Sequence, residues 1–213
     1  MANTDWDGTT LGGSLREVHL AERDRLASAA RDGEWATVLG MIERSPSLVN
    51  AWRPGGNSWF TPVHQAAWLG ASPEVVRRMV ARGPWLTLRT AAGDRALDIA
   101  LRRGNAHLAG LLTPVIRHPL RTGVLGGHLH DLIRERADHL VREHRLRLPE
   151  LEVLTELEKP DMFFPVPGMY GGFGYRLEGE GLVVRSFCRV VGGSGQTHRI
   201  TTAGCVLVED GWG

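Results

Sequence analysis

The hydropathy pattern changes character twice along the chain. Up to about residue 115, apolar residues come in short bursts at helical spacing, each closed by a glycine. The phrase "TPVHQAAWLG" at residues 61–70 is the most legible burst. Thr61 suits a helix N-cap, Pro62 the first helical position, and Gly70 a helix end that needs positive φ. Pro73 then opens "PEVVRRMVARG", whose Val75, Val76, Met79 and Val80 form an apolar stripe. A second texture follows. Leu129, Leu132, Ile133, Ala137, Leu140 and Val141 predict one long amphipathic helix over roughly 125–145, with Pro149 beyond it and a short helix in "ELEVLTELEK". From Asp161 the helical spacing disappears. "MFFPV", "GGFGYRL", "LVVRSFCRVV", "THRIT" and "CVLVE" read as strands, and "EGEG", "GGSGQ" and "TAG" as the turns between the last four. The expected class is mainly α with a C-terminal β part, the latter a small antiparallel meander.

The glycine-closed bursts repeat. Gly70 and Gly104 are 34 residues apart, and "ALDIALRRGNAHLAGLLTP" runs parallel to the second unit. Upstream, "LASAARDGEWATVLGMIE" sets Ala29, Ala30 and Gly33 where Ala66, Ala67 and Gly70 stand, at a spacing of 37. "RPGGNSWF" has room for the extra three residues. On these residues, 23–115 resembles three ankyrin repeats. The third departs from the pattern with Arg95-Ala96 in place of Thr-Pro, and the first lacks the Thr-Pro-x-His start. The division that follows is an N-terminal tail at 1–22, a helical-repeat stack at 23–115, a bridging helical segment at 116–160 packed on the last repeat, and a β domain at 161–213.

The resemblance implies function as well as fold. Ankyrin stacks bind other proteins through a concave surface of turn tips and inner helices, and carry no chemistry of their own. On that expectation the partner-binding residues are Trp52, Arg53 and Trp59 on one tip, Arg89 on the next, and Trp68, Leu69, Arg102 and Arg103 before the glycines. Trp and Arg are the commonest hot-spot residues. The family pattern also makes His64 a tie between neighbouring turns; as an isolated residue it would read as a candidate base.

A second functional reading rests on the strands. If Gly179-Glu180 is a two-residue turn, Leu177 faces Leu182 and Tyr175 faces Val184. If "GGSGQ" is a five-residue loop, Val190 faces His198 and Cys188 faces Ile200. One face then collects Phe173, Tyr175, Leu177, Leu182, Val184, Cys188, Val190 and Ile200 as a core. The other collects Arg176, Arg185, Arg189 and Arg199 around Val183 and Phe187, with Gly172 and Gly174 leaving space. Arginines so grouped suit a phosphate, a carboxylate or an acidic segment, or else are ordinary solvent-side residues. The alternative function is therefore a small-molecule binder or enzyme. Its site would lie in a cleft between stack and sheet, lined by Tyr170, Tyr175, Arg185 and His198, with Glu209 opposing His198. A third reading pairs the sheet edge with another chain.

Composition narrows the choice. With 25 basic against 24 acidic residues the charge is balanced, which argues against a nucleic-acid binder. Lys159 is the sole lysine, a bias that reads as base composition rather than as selected guanidinium sites. Cys188 and Cys205 have no metal spacing and read as small buried hydrophobes, with a single disulfide left open. No apolar run approaches a membrane span and the N-terminus lacks a signal pattern, so a cytoplasmic protein is expected. Asp131, Glu135 and His139 share a helix face, but the alternating charges of "DLIRERADHLVREHR" read as solvated. No metal or cofactor is expected.

Overall fold

The computed structural model describes residues 4–189 and 193–211. The chain divides into two compact units, Leu15–Val115 in one, and Thr4–Ser14 with the chain from Ile116 onward in the other. Among the described residues no helix is long and apolar enough to cross a membrane.

The first unit is built from helix pairs: α1 (Glu17–Arg31) with α2 (Trp35–Arg44), α3 (Pro62–Leu69) with α4 (Pro73–Val80), and α5 (Ala96–Arg102) with the single-turn α6 (Ala109–Leu112). The first helices form one row, with α3 between α1 and α5. The second helices form another, with α4 between α2 and α6. Small residues allow the close approach: Ala29, Ala30, Ala66, Ala67 and Ala100 are all buried.

Each first helix ends the same way. Gly33, Gly70 and Gly104 take φ of 76°, 64° and 78°. The next residue donates its N–H five positions back: Glu34 to Ala29 O at 2.9 Å, Ala71 to Ala66 O at 3.0 Å, and Asn105 to Ala100 O at 2.8 Å. These are Schellman ends, in which the left-handed residue lets the chain turn back and satisfy an orphan carbonyl. The starts differ. Thr61 and His64 bond reciprocally at α3, whereas at α5 Arg95 and Asp98 occupy those two places and Arg95 N donates to Asp98 Oδ2 at 2.9 Å. The loop tips are tied as well, Ala91 N donating to Ser58 O at 2.9 Å.

The second unit is a five-stranded antiparallel meander, β1 (Asp161–Val166), β2 (Gly171–Glu178), β3 (Gly181–Cys188), β4 (Gly195–Thr201) and β5 (Gly204–Asp210), in sequential order. The two-residue turn at Gly179-Glu180 is present, with Leu177 opposite Leu182 and Tyr175 opposite Val184. The next pairing corrects the expected register. His198 faces Val184 and Ile200 faces Leu182, because β3 stops at Cys188 and β4 starts at Gly195. Val190 lies outside the described residues. The displacement is even, so every face assignment on β3 and β4 survives it. Phe173, Tyr175, Leu182, Val184 and Ile200 are buried on one face together with Met162 and Phe164.

Helix α7 (Thr122–Glu143) packs on this sheet, touching β1, β4 and β5, so it belongs to the β unit. Its stripe of Leu125, Leu129, Leu132, Ile133 and Ala137 is buried. Ala137 departs from helical geometry at φ −146°, and beyond that kink Leu140 and Val141 are only half-buried. Helix α8 (Glu152–Glu156) follows. The expected N-terminal tail is partly structured. Helix α1 already starts at Glu17. Asp5 bridges Phe163 in parallel, and Trp6 N donates to Phe163 O at 2.7 Å. The buried Trp6 ring donates from Nε1 to Arg147 O at 2.8 Å. This segment covers the open edge of β1, where unpaired backbone would otherwise be exposed.

Candidate functional sites

Two surfaces carry the candidate residues, one on each unit. On the helical unit, Trp68 at the end of α3 is 42% exposed and Leu69 is 47% exposed. Trp68 is nonetheless held in place. Phe60 meets it edge-on with ring centroids 6.0 Å apart, and the Arg103 guanidinium lies 4.4 Å from its ring centre. A cation over an indole face is the strongest of the cation–π pairings, worth roughly 0.5–1 kcal/mol at an exposed site. Arg102 is turned to Asp94 at 2.5 Å.

The tip residues contribute less than expected. Trp52 is 3% exposed and so is core, which corrects its assignment to the contact face. Arg53 is spent internally, donating to Asp24 O at 3.1 Å and to Ser28 Oγ at 2.6 Å. Arg89 donates to Gly93 O at 2.8 Å and so braces its own loop. Trp59, half-buried with φ of 54°, lines a hollow of about 160 Å³ with Arg53 and Phe60. The residues that offer free aromatic or aliphatic surface are therefore Trp68 and Leu69, with Arg103 beside them.

On the β unit the expected ligand residues fall on two opposite faces. Tyr175 and His198 sit on the packed face in one cross-strand row with Val184 between them. Both are buried, and burial pushes the Tyr175 phenol well above its ordinary value. His198 is held below its usual range, first by burial and then by the Arg136 guanidinium, with Glu135 and Asp210 pulling the other way. The expected His198–Glu209 pair does not form. The register running back from the Thr201–Gly204 turn sets Leu207 opposite His198, and a β-bulge between Thr197 and His198 then sets Glu209 opposite Thr197 on the outer face. Among the described residues the buried His198 Nδ1, Ser186 Oγ and Arg136 Nε have no hydrogen-bond partner. Tyr170 is 73% exposed at the β1–β2 turn, with φ of 51°. A single site joining Tyr170, Tyr175, Arg185 and His198 is thus ruled out by the strand alternation.

The four arginines do share the outer face, but they divide. Glu178 takes two of them, Arg199 at 2.6 Å and Arg176 at 3.0 Å. These bonds hold the Glu178 carboxyl below its ordinary value, Arg176 contributing first and Arg199 next. Arg185 and Arg189 lie at the other end, beside an open trough of about 380 Å³ lined by Gly174, Phe187, Gly195, Thr197 and Glu209. The Arg189 guanidinium sits 5.1 Å from the Phe187 ring centre, and Phe187 stacks on Phe163 at 5.7 Å and 12°.

Other candidates are placed plainly. Cys188 and Cys205 are both free, and Cys205 is exposed on β5, which corrects its reading as buried. Among the described residues no three His, Cys, Asp or Glu side chains gather to hold a metal. Asp131 turns to Arg134 at 3.7 Å and Asp138 to Arg142 at 2.8 Å. The space expected at Gly174 opposite Arg185 is present and forms part of this trough, whereas the space expected at Gly172 is taken by the Phe164 carbonyl. What the strand pattern does not show is how β4 and β5 wall it with Gly195, Thr197 and Glu209. A search of models of known protein families finds none that matches this chain.

Proposed function

We propose that the helical unit is an ankyrin-type stack that binds a protein partner, and that Trp68, Leu69 and Arg103 form the centre of the contact. The observation that carries this reading is the Trp68–Arg103 pair. A large aromatic side chain, exposed but fixed between Phe60 and a guanidinium, loses little entropy on binding, which is what a hot spot requires. The three in-register helix ends at Gly33, Gly70 and Gly104 support the repeat reading. In such a stack the row before the glycines faces one side, and here it carries Arg31, Asp32, Trp68, Leu69, Arg102 and Arg103. Its chemistry fits a partner segment that offers apolar side chains next to a carboxylate.

Affinity capture from a native lysate tests this. Wild-type protein, Trp68→Ala and Arg185→Ala are compared at equal loading. A partner retained by wild type and by Arg185→Ala, and lost with Trp68→Ala, is expected. An identical set of captured proteins for all three overturns the reading.

A further inference from the structure

The trough on the outer sheet face contains a glycine that packing does not require. A Cβ at Gly171, Gly172 or Gly181 would run into backbone oxygen at 2.0, 2.1 and 2.4 Å, so those glycines are enforced. A Cβ at Gly174 would meet nothing nearer than Arg185 O at 3.9 Å. Glycine within a strand forfeits side-chain packing and backbone entropy. What its presence at 174 provides is open floor. That floor lies in the cross-strand row Phe163, Gly174, Arg185 and Thr197, next to the row Gly172, Phe187 and Gly195. Phe187, stacked on Phe163, lines it as a flat apolar wall.

The charges are arranged to suit an incoming anion. Glu178 neutralises Arg176 and Arg199 at the far end. Among the described residues Arg185 and Arg189 have no carboxylate partner, and both line the trough. Glu209 accepts from Thr197 Oγ1 at 3.3 Å on the opposite wall and has acceptor capacity for a hydroxyl or amine. A volume of about 380 Å³ lies within the range of small-ligand sites.

We propose that this trough binds a small molecule consisting of a flat ring that bears a carboxylate or a phosphate. The ring lies over Gly174 against Phe187, and the anion meets Arg185 and Arg189. A hydroxyl or amine on the ligand turns to Glu209. The site is independent of the contact proposed for Trp68.

Amide NMR spectra of the full chain test it with three kinds of probe: 4-hydroxybenzoate and adenosine monophosphate as charged rings, phenol and adenosine as neutral rings, and acetate and inorganic phosphate as bare anions. At least one charged ring should shift the amides of Gly174, Gly195 and Thr197, and bind about tenfold or more tightly than its neutral and ringless counterparts. Which arm responds distinguishes carboxylate from phosphate. Arg185→Ala should weaken binding about tenfold, the scale of one charge-assisted hydrogen bond. Gly174→Leu should fill the floor and abolish it; its remaining amide spectrum reports whether the sheet is intact, and the exposed Arg185→Ala carries the test should it not be. Failure of every charged ring to shift these amides overturns the proposal. So do shifts that persist undiminished in both variants.

Discussion

His64 Nε2 lies 3.1 Å from the carbonyl oxygen of Leu88, while its Nδ1 faces Thr61 Oγ1 at 2.7 Å and Thr61 N at 3.3 Å. The geometry assigns a neutral ring, with Nε2–H donating to Leu88 and Nδ1 accepting from Thr61. The side chain therefore closes the start of α3 and ties it to the loop that leads to α5. Replacing it by Ala leaves buried groups on both sides unpaired, at about 1–3 kcal/mol for each group so stranded. His64→Ala should lower the denaturant midpoint strongly, and His64→Gln less, since an amide reaches one of the two partners. Equal loss for both variants would deny the two-sided tie.

Gly70 couples two helix pairs through a single close approach. Its φ is 64°, and a Cβ there would sit 2.5 Å from Asn105 Oδ1. Asn105 Nδ2 in turn donates to Ala67 O at 3.0 Å. Gly70→Ala meets both a backbone penalty of about 1 kcal/mol and a clash that breaks this bond. A larger loss of stability is expected than for Gly104→Ala, where φ is 78° but no atom lies within 4 Å of the new carbon. Thermal unfolding of the two variants checks the order.

Arg145 ends α7 in the conformation that glycine holds elsewhere. Its φ is 47°, and Leu146 N donates to Val141 O at 2.9 Å, as in the glycine-ended helices of the other unit. The side chain is exposed. Arg145→Gly should therefore stabilise the β unit by about 1 kcal/mol, measured as a rise in midpoint with unchanged denaturant slope.

Buried His198 makes stability depend on pH. Its folded pKa is below the unfolded value of 6.5, burial being the largest cause. Above pH 6.5 the group is neutral in both states and the stability is fully present. As pH falls from 6.5 toward the lower folded value, the unfolded chain binds a proton that the folded chain refuses, so stability is lost. The groups that face it are Arg136 and Glu135 on α7 and Asp210 on β5. His198→Phe should flatten the stability profile in that window relative to wild type. An unchanged slope would assign the pH dependence to other groups.

Much of the fold was legible in the sequence because it rests on local rules. The cap and stop residues around α3, the long stripe of α7 and the two-residue turn at Gly179-Glu180 all act within a few positions of themselves. The β3–β4 register was not legible. It depends on a loop length, and "GGSGQ" does not show that β3 stops at Cys188. The bulge that sets Glu209 opposite Thr197 is one extra residue on one strand, which alternation alone does not reveal. Trp52 reads as a turn-tip contact residue from its neighbours, and Trp6 falls within the expected N-terminal tail at 1–22. Trp6 is buried against Arg147, 141 positions away, a contact no window along the chain contains. The candidate sites were legible as residue types and not as constellations. Four arginines were correctly placed on one face, but their division by Glu178 follows from side-chain geometry.

The most direct measurement is site-specific photo-cross-linking from position 69, next to Trp68, with position 143 at the far end of α7 as control. A photoreactive residue at 69 should trap a discrete protein partner in cells or native lysate, and the Arg103→Glu background should remove that product by reversing the charge over Trp68. No product specific to position 69, or one that is indifferent to Arg103→Glu, would contradict the account.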